Sequence, residues 1–185
     1  MVKSKRDIAA TKFLEGYNCA QSILYSYCDD LGFDKNSALK MACGFGGGMG
    51  CKGEVCGAVT GGIIVIGAMY GRGEHEDRAV AELTYEKTRE LIDQFVERHG
   101  TFICRTLLKG CELTTKEGRK YIRENDLLNK ICVPCVQSVL EILENIMSHN
   151  PSVECWAFVS PLIQIIILIN QHFSLVRLVK TISRM

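Results

Sequence analysis

Between residues 44 and 53 the chain reads Gly-Phe-Gly-Gly-Gly-Met-Gly-Cys-Lys-Gly. Six of those ten positions are glycine, and no regular element survives such a run. A loop is therefore expected here. Shortly after it comes Cys56-Gly57-Ala58-Val59-Thr60-Gly61, and from Cys56 to Tyr70 there is no Asp, Glu, Lys or Arg. Ile63, Ile64, Val65 and Ile66 alone would suit a buried strand. Small residues at 57, 58, 61, 62, 67 and 68 favour instead a tightly packed central helix. At about 15 residues it falls short of a comfortable membrane span.

The flanking sequence reads as helices. Residues 5–15 place Ile8, Ala9 and Phe13 at helical spacing, with Lys and Glu on the other face. Asn18 is a candidate cap for a second helix reaching Leu31, on which Cys19, Ile23 and Tyr27 share a face. Gly32 ends it. Asn36 or Ser37 would cap a short helix through Ala42. Residues 75–98 form the clearest helix, with a stripe of Ala81, Tyr85, Thr88, Ile92 and Phe95, and Gly100 as terminator. A short helix near Cys104 ends at Gly110. Residues 115–126 read as a solvated helix. From Cys132 to Met147 the chain is amphipathic again, with Cys135, Val136, Val139, Leu140 and Leu143 on one side. The expected class is all-α: a compact multi-helix bundle with a Gly-rich loop leading into a central helix.

The chain has 185 residues, enough for one domain with its own core. Its 22 basic and 21 acidic residues leave a net charge of +1. That balance gives no basic excess for nucleic acid, so none is expected as a partner. The N-terminus is charged and no apolar signal segment follows, which points to the cytoplasm. Composition shifts near residue 150. We therefore expect a cysteine-rich helical domain over 1–149 and an apolar C-terminal extension over 150–185. Pro161, Gln164, Asn170 and Gln171 interrupt the extension before it offers about 20 clean apolar residues, so membrane contact is the lesser expectation.

Ten cysteines in a chain of this kind point to metal or redox chemistry rather than structural disulfides. Several are expected to be small buried core residues. Four stand at the starts or on the faces of expected helices: Cys19, Cys56, Cys104 and Cys132. A bundle can bring four helices to one point, and a helix N-terminus stabilises the thiolate that reacts or binds metal. Four thiolates suit an iron–sulfur cluster or a tetrahedral zinc ion.

Other arrangements compete. Cys132-Val133-Pro134-Cys135 has the form of a redox dithiol, in which Cys132 attacks and Cys135 resolves, although the usual βαβ context is missing. Cys56 is a further candidate redox thiol for a cofactor-free thiol–disulfide oxidoreductase. Cys43, Cys51 and Cys56 could contribute metal ligands from the loop, but the plant-type ferredoxin spacing is not completed after Cys56. Gly48-Met49-Gly50-Cys51-Lys52-Gly53 formally matches a dinucleotide fingerprint, yet no strand is expected before it. None of His75, His99, His149 and His172 has zinc-ligand spacing to a CxxC.

Taken together, Asn18-Cys19-Ala20-Gln21, the glycine loop, Cys56-Gly57-Ala58-Val59-Thr60-Gly61, Cys104 with Leu107-Leu108-Lys109-Gly110, and Cys132 resemble a family of small redox-active proteins. That family is defined by a C…CGAxxG…C…C pattern. The resemblance spans roughly residues 8–147. It implies redox chemistry at Cys19, Cys56, Cys104 and Cys132, and a redox partner protein whose identity it does not give. A similar domain occurs within some multi-cofactor cytochromes, so the resemblance favours an iron–sulfur centre, with zinc or no cofactor as alternatives. Cys28, Cys43, Cys51, Cys111, Cys135 and Cys155 are extra to the pattern.

Overall fold

Helix capping sets the frame of the computed structural model, which describes residues 3–148. The expected apolar extension at 150–185 lies outside the described residues. Ser4 caps α1 (Lys5–Leu14), and its hydroxyl accepts the Asp7 N–H while Asp7 reaches back. Asn18 and Gln21 exchange the same pair of bonds, each 3.0 Å, at the start of α2 (Cys19–Leu31). Gly32 ends α2 in the left-handed region, at φ 64°. The cap of α3 (Lys35–Ala42) is Asp34, whose carboxylate accepts the Ser37 N–H at 2.8 Å. This corrects the expectation of Asn36 or Ser37. Three capping residues follow one another closely, and the first in the chain takes the role.

The glycine-rich stretch is a series of hydrogen-bonded turns that opens with a short 3-10 turn at Cys43–Phe45. It leads into α4 (Gly57–Tyr70), the expected central helix rather than a strand. Small residues let its neighbours come close. A Cβ on Gly61 would stand 3.0 Å from the Ala20 Cα of α2. A Cβ on Gly62 would stand 2.8 Å from both Leu91 Cδ2 and Val139 Cγ1. α4 is therefore packed between α2 and the two later helices α5 (Arg78–His99) and α8 (Val133–Ser148).

The core follows from that arrangement. Ile23 and Leu24 of α2, Val59 and Ile66 of α4, and Leu91 and Phe95 of α5 are fully buried. So are Val139, Leu140 and Leu143 of α8. α5 departs from the expected stripe. It buries Leu91 and Phe95 in its C-terminal half, whereas Tyr85 is exposed. The N-terminal half of α5 contributes no fully buried residue; Ala81 and Thr84 are half-buried there, and the Thr84 hydroxyl donates to Tyr70 O at the end of α4.

A smaller cluster closes one side. α6 (Cys104–Leu107) and α7 (Lys116–Glu124) bury Cys104, Leu108, Cys111, Ile122 and Leu127 together. α7 is thus anchored through Ile122 rather than wholly solvated. A π-helical turn, Leu128–Cys132, runs directly into α8. Such turns are uncommon and often sit at functional sites. Among the described residues, Leu128–Ser148 is long and apolar enough to cross a membrane by length and composition. Its inner face carries the core residues already named. Eight α-helices and no strand occur among the described residues, so the chain there is all-α.

Candidate functional site

Four chain segments deliver the expected cysteines to helix starts. Cys19 is the first residue of α2, Cys56 caps α4, Cys104 opens α6, and Cys132 ends the π turn before α8. Backbone pairing sets two of them side by side. Val55 and Ile103 form an antiparallel bridge. The Cys56 N–H donates to Phe102 O at 2.8 Å, and the Cys104 N–H to Glu54 O at 2.7 Å. The glycine loop fits under this pairing. Gly48 has φ 69°, and a Cβ there would lie 2.7 Å from Cys104 Cβ and 2.6 Å from the Glu54 nitrogen. Only glycine meets both conditions. Asn18 ties the loop to α2, since its side-chain amide donates to Cys43 O at 2.9 Å.

The sulfurs surround a cavity of about 330 Å³ lined by Cys19, Cys56, Cys104, Cys132 and Cys135. Apolar side chains such as Phe13, Leu108 and Ile131 form most of the remaining wall, and Arg119 and Arg123 of α7 also reach it. Arg119 donates to Leu113 O at 2.9 Å. The structure therefore brings Cys19, Cys56, Cys104 and Cys132 together. Cys135, expected as the resolving partner of Cys132, joins them as a fifth thiol.

The cavity thiols influence one another's ionisation. The Cys56 sulfur is held below the ordinary thiol range by the Cys135 thiol, with help from the Ala58 and Val59 N–H groups, despite its burial. Cys135 is raised by the Cys56 sulfur and by burial. Cys19 is raised by the Cys132 thiol, by burial and by the nearby sulfurs of Cys56 and Cys104. Cys104 is pushed up to about 12, chiefly by burial and then by Cys56, Cys132 and Cys51. One sulfur is thus set to ionise first, and its neighbours resist ionising alongside it. A bound cation would relieve that resistance.

The other cysteines divide plainly. Cys28 and Cys111 are buried core residues whose thiols meet Leu24 O at 3.4 Å and Gly118 O at 3.2 Å. Cys43 and Cys51 are exposed in or beside the loop and do not line the cavity. Cys155, His149 and His172 lie outside the described residues. His75 is exposed beside Glu74. His99 has a role the sequence did not suggest. Its Nδ1 lies 4.0 Å from Cys135 Sγ, its Nε2 lies 2.9 Å from Ser138 Oγ, and its ring packs on Phe95. Burial, then the Arg98 charge, lowers its pKa.

Among the described residues, no three His, Cys, Asp or Glu side chains close on one point as a ligand set for a metal ion. The sulfurs stand instead around a space. Their soft donor chemistry, together with the backbone N–H groups at Cys56, fits a polynuclear iron–sulfur group.

Neither the curated proteins nor the solved structures contain a match to this chain. A family model does match, over residues 17–146, and its description is "Putative redox-active protein (C_GCAxxG_C_C)". The matched span begins just before Asn18 and ends in α8, so it takes in every cysteine of the cavity. The chain belongs to this family of redox-active proteins.

Proposed function

We propose that this cavity holds an iron–sulfur cluster and that the chain works as an electron-transfer protein with a redox partner protein. Cys19, Cys56, Cys104 and Cys132 would be the thiolate ligands. One observation carries the reading: four sulfurs from four separate segments line one largely apolar cavity. A bound cluster supplies one-electron chemistry, with a potential set by burial and by hydrogen bonds to its sulfurs. The chain's own part is to exclude water with Phe13, Leu108 and Ile131, and to set Cys56 at the N-terminus of α4, where the helix's free N–H groups favour a thiolate. The family supports redox activity.

A serine series tests the ligand set. Cys19→Ser, Cys56→Ser, Cys104→Ser and Cys132→Ser should each lose visible absorption after anaerobic purification. Cys43→Ser and Cys51→Ser should keep it. Retention of full colour in Cys56→Ser would refute the assignment. Zinc in place of iron, or a colourless thiol protein that cannot be reconstituted, would support the zinc or dithiol alternative.

A further inference from the structure

Arg119 and Arg123 are the only charged residues on the cavity wall among the described residues. They stand one turn apart on α7 and share a face with Ile122, whose buried side chain anchors the helix. Both arginines are exposed, so their stems contribute wall while their charges stay with solvent at the rim. Neither forms an ion pair among the described residues, whereas Lys120 of the same helix meets Glu124 at 3.6 Å. Like charges at that spacing destabilise a helix, and a carboxylate brought from outside would relieve them.

The surface beside the two arginines is apolar. An outer groove shares Phe13, Ile122, Arg123 and Leu128 with the cavity and continues to Leu14. Leu14 is 72% exposed and Leu128 is 44% exposed. Asp126 also lines this groove, and its carboxylate accepts the Asn129 amide at 2.7 Å. Charge selects among the occupants such a patch could take. Residues 149–185 carry Arg177, Lys180 and Arg184 against a single carboxylate, Glu154, so that segment repeats the sign of the rim. A second copy packed about a two-fold axis would set arginine against arginine. An acidic protein surface meets neither obstacle.

We propose that the patch around Leu14, Leu128, Arg119 and Arg123 docks the redox partner, and that the partner presents carboxylates around an apolar centre. One electron then passes between the cluster and the partner's own one-electron centre, one being oxidised as the other is reduced. That electron step rests on the cluster reading above; the docking does not.

The test uses the full chain, purified without air, and a plant-type ferredoxin as the probe, a small acidic one-electron carrier. Calorimetry should show binding at about 0.01 M salt that is lost at about 1 M, where the screening length is tenfold shorter. Arg119→Gln/Arg123→Gln should bind at least about tenfold more weakly. Arg72→Gln/Arg78→Gln removes two cations beyond the far end of α4 and should bind like the parent. A second reading needs no cluster. On the reduced, metal-free chain, the rate of Cys56 alkylation by anionic iodoacetate relative to neutral iodoacetamide should fall several-fold in the Arg119→Gln/Arg123→Gln variant. No binding at low salt, binding that the rim variant retains, or an equal loss in the distant variant would overturn the proposal. So would crosslinks from residues 150–185 to α7, or a dimer that buries Leu14 and Leu128, since another occupant would then hold the patch. Should the chain take up no iron, the cluster reading fails, and binding lost with the two arginines still upholds the docking.

Discussion

Gly57 lies against Cys19 so closely that a Cβ on the glycine would stand 3.3 Å from the Cβ of the cysteine. This contact, at the N-terminal ends of α4 and α2, sets Cys56 beside Cys19. One turn further along, Gly61 meets the α2 backbone at Ala20. The small residues of the central helix therefore position the site as well as fill the core.

Two glycines of α4 should respond in opposite directions to the same change. Gly61→Ala would place a methyl 3.0 Å from Ala20 Cα and 3.1 Å from its carbonyl oxygen, atoms that belong to another helix backbone. Overpacking of that kind costs about 1–3 kcal/mol. Gly67 is exposed and has open space where its Cβ would be. Gly67→Ala should stabilise by roughly 0.5–1 kcal/mol, through lower chain entropy when unfolded. Urea denaturation of both variants measures the contrast.

Asn18 joins the cap of α2 to the glycine loop. Asn18→Ala removes the acceptor for the Gln21 N–H and the donor to Cys43 O. The lost cap should cost about 1 kcal/mol, reaching about 2 in demanding hosts. Asn18→Asp keeps the acceptor and loses only the donor, so its denaturation midpoint should lie between that of Asn18→Ala and the parent.

The sequence carried this site unevenly. Asn18 and Cys19 were readable because a helix cap and the residues that share a helix face are local patterns, whereas the return bond from Gln21 to the Asn18 N–H emerges only in the structure. The same holds for the helix after Cys56, where small residues and absent charge mark a buried element. The cap of α3 was misplaced because Asp34, Asn36 and Ser37 are all competent and lie within four residues. The α5 stripe was wrong at Tyr85 because periodicity shows which residues share a face, not whether a neighbour covers it. That Cys135 shares a cavity with Cys56 had no signal. The CxxC spacing ties Cys135 to Cys132, and its nearness to the start of α4 depends on how α4 and α8 pack. His99 was missed for the same reason, since its contact with Cys135 joins two distant helices.

The cavity thiols should titrate apart. Cys56 ionises below the usual thiol range because the Cys135 thiol and two backbone N–H groups stabilise its thiolate. In the reduced, metal-free chain, alkylation of Cys56 by iodoacetamide should therefore rise at lower pH than that of free cysteine. Below its own folded pKa the sulfur is protonated and the rate should fall. Cys104 and Cys135, both raised, should remain unmodified over the same range. Cys135→Ala removes the donor, so the Cys56 profile should move to higher pH. Rates followed by peptide mass spectrometry check each part.

The most direct measurement is the iron, acid-labile sulfide and zinc content of the protein purified without air, taken with its visible spectrum. The account predicts stoichiometric iron and sulfide and a visible absorption that disappears in Cys56→Ser. Stoichiometric zinc, or a colourless protein that stays free of iron and sulfide after reconstitution in its reduced state, would contradict it.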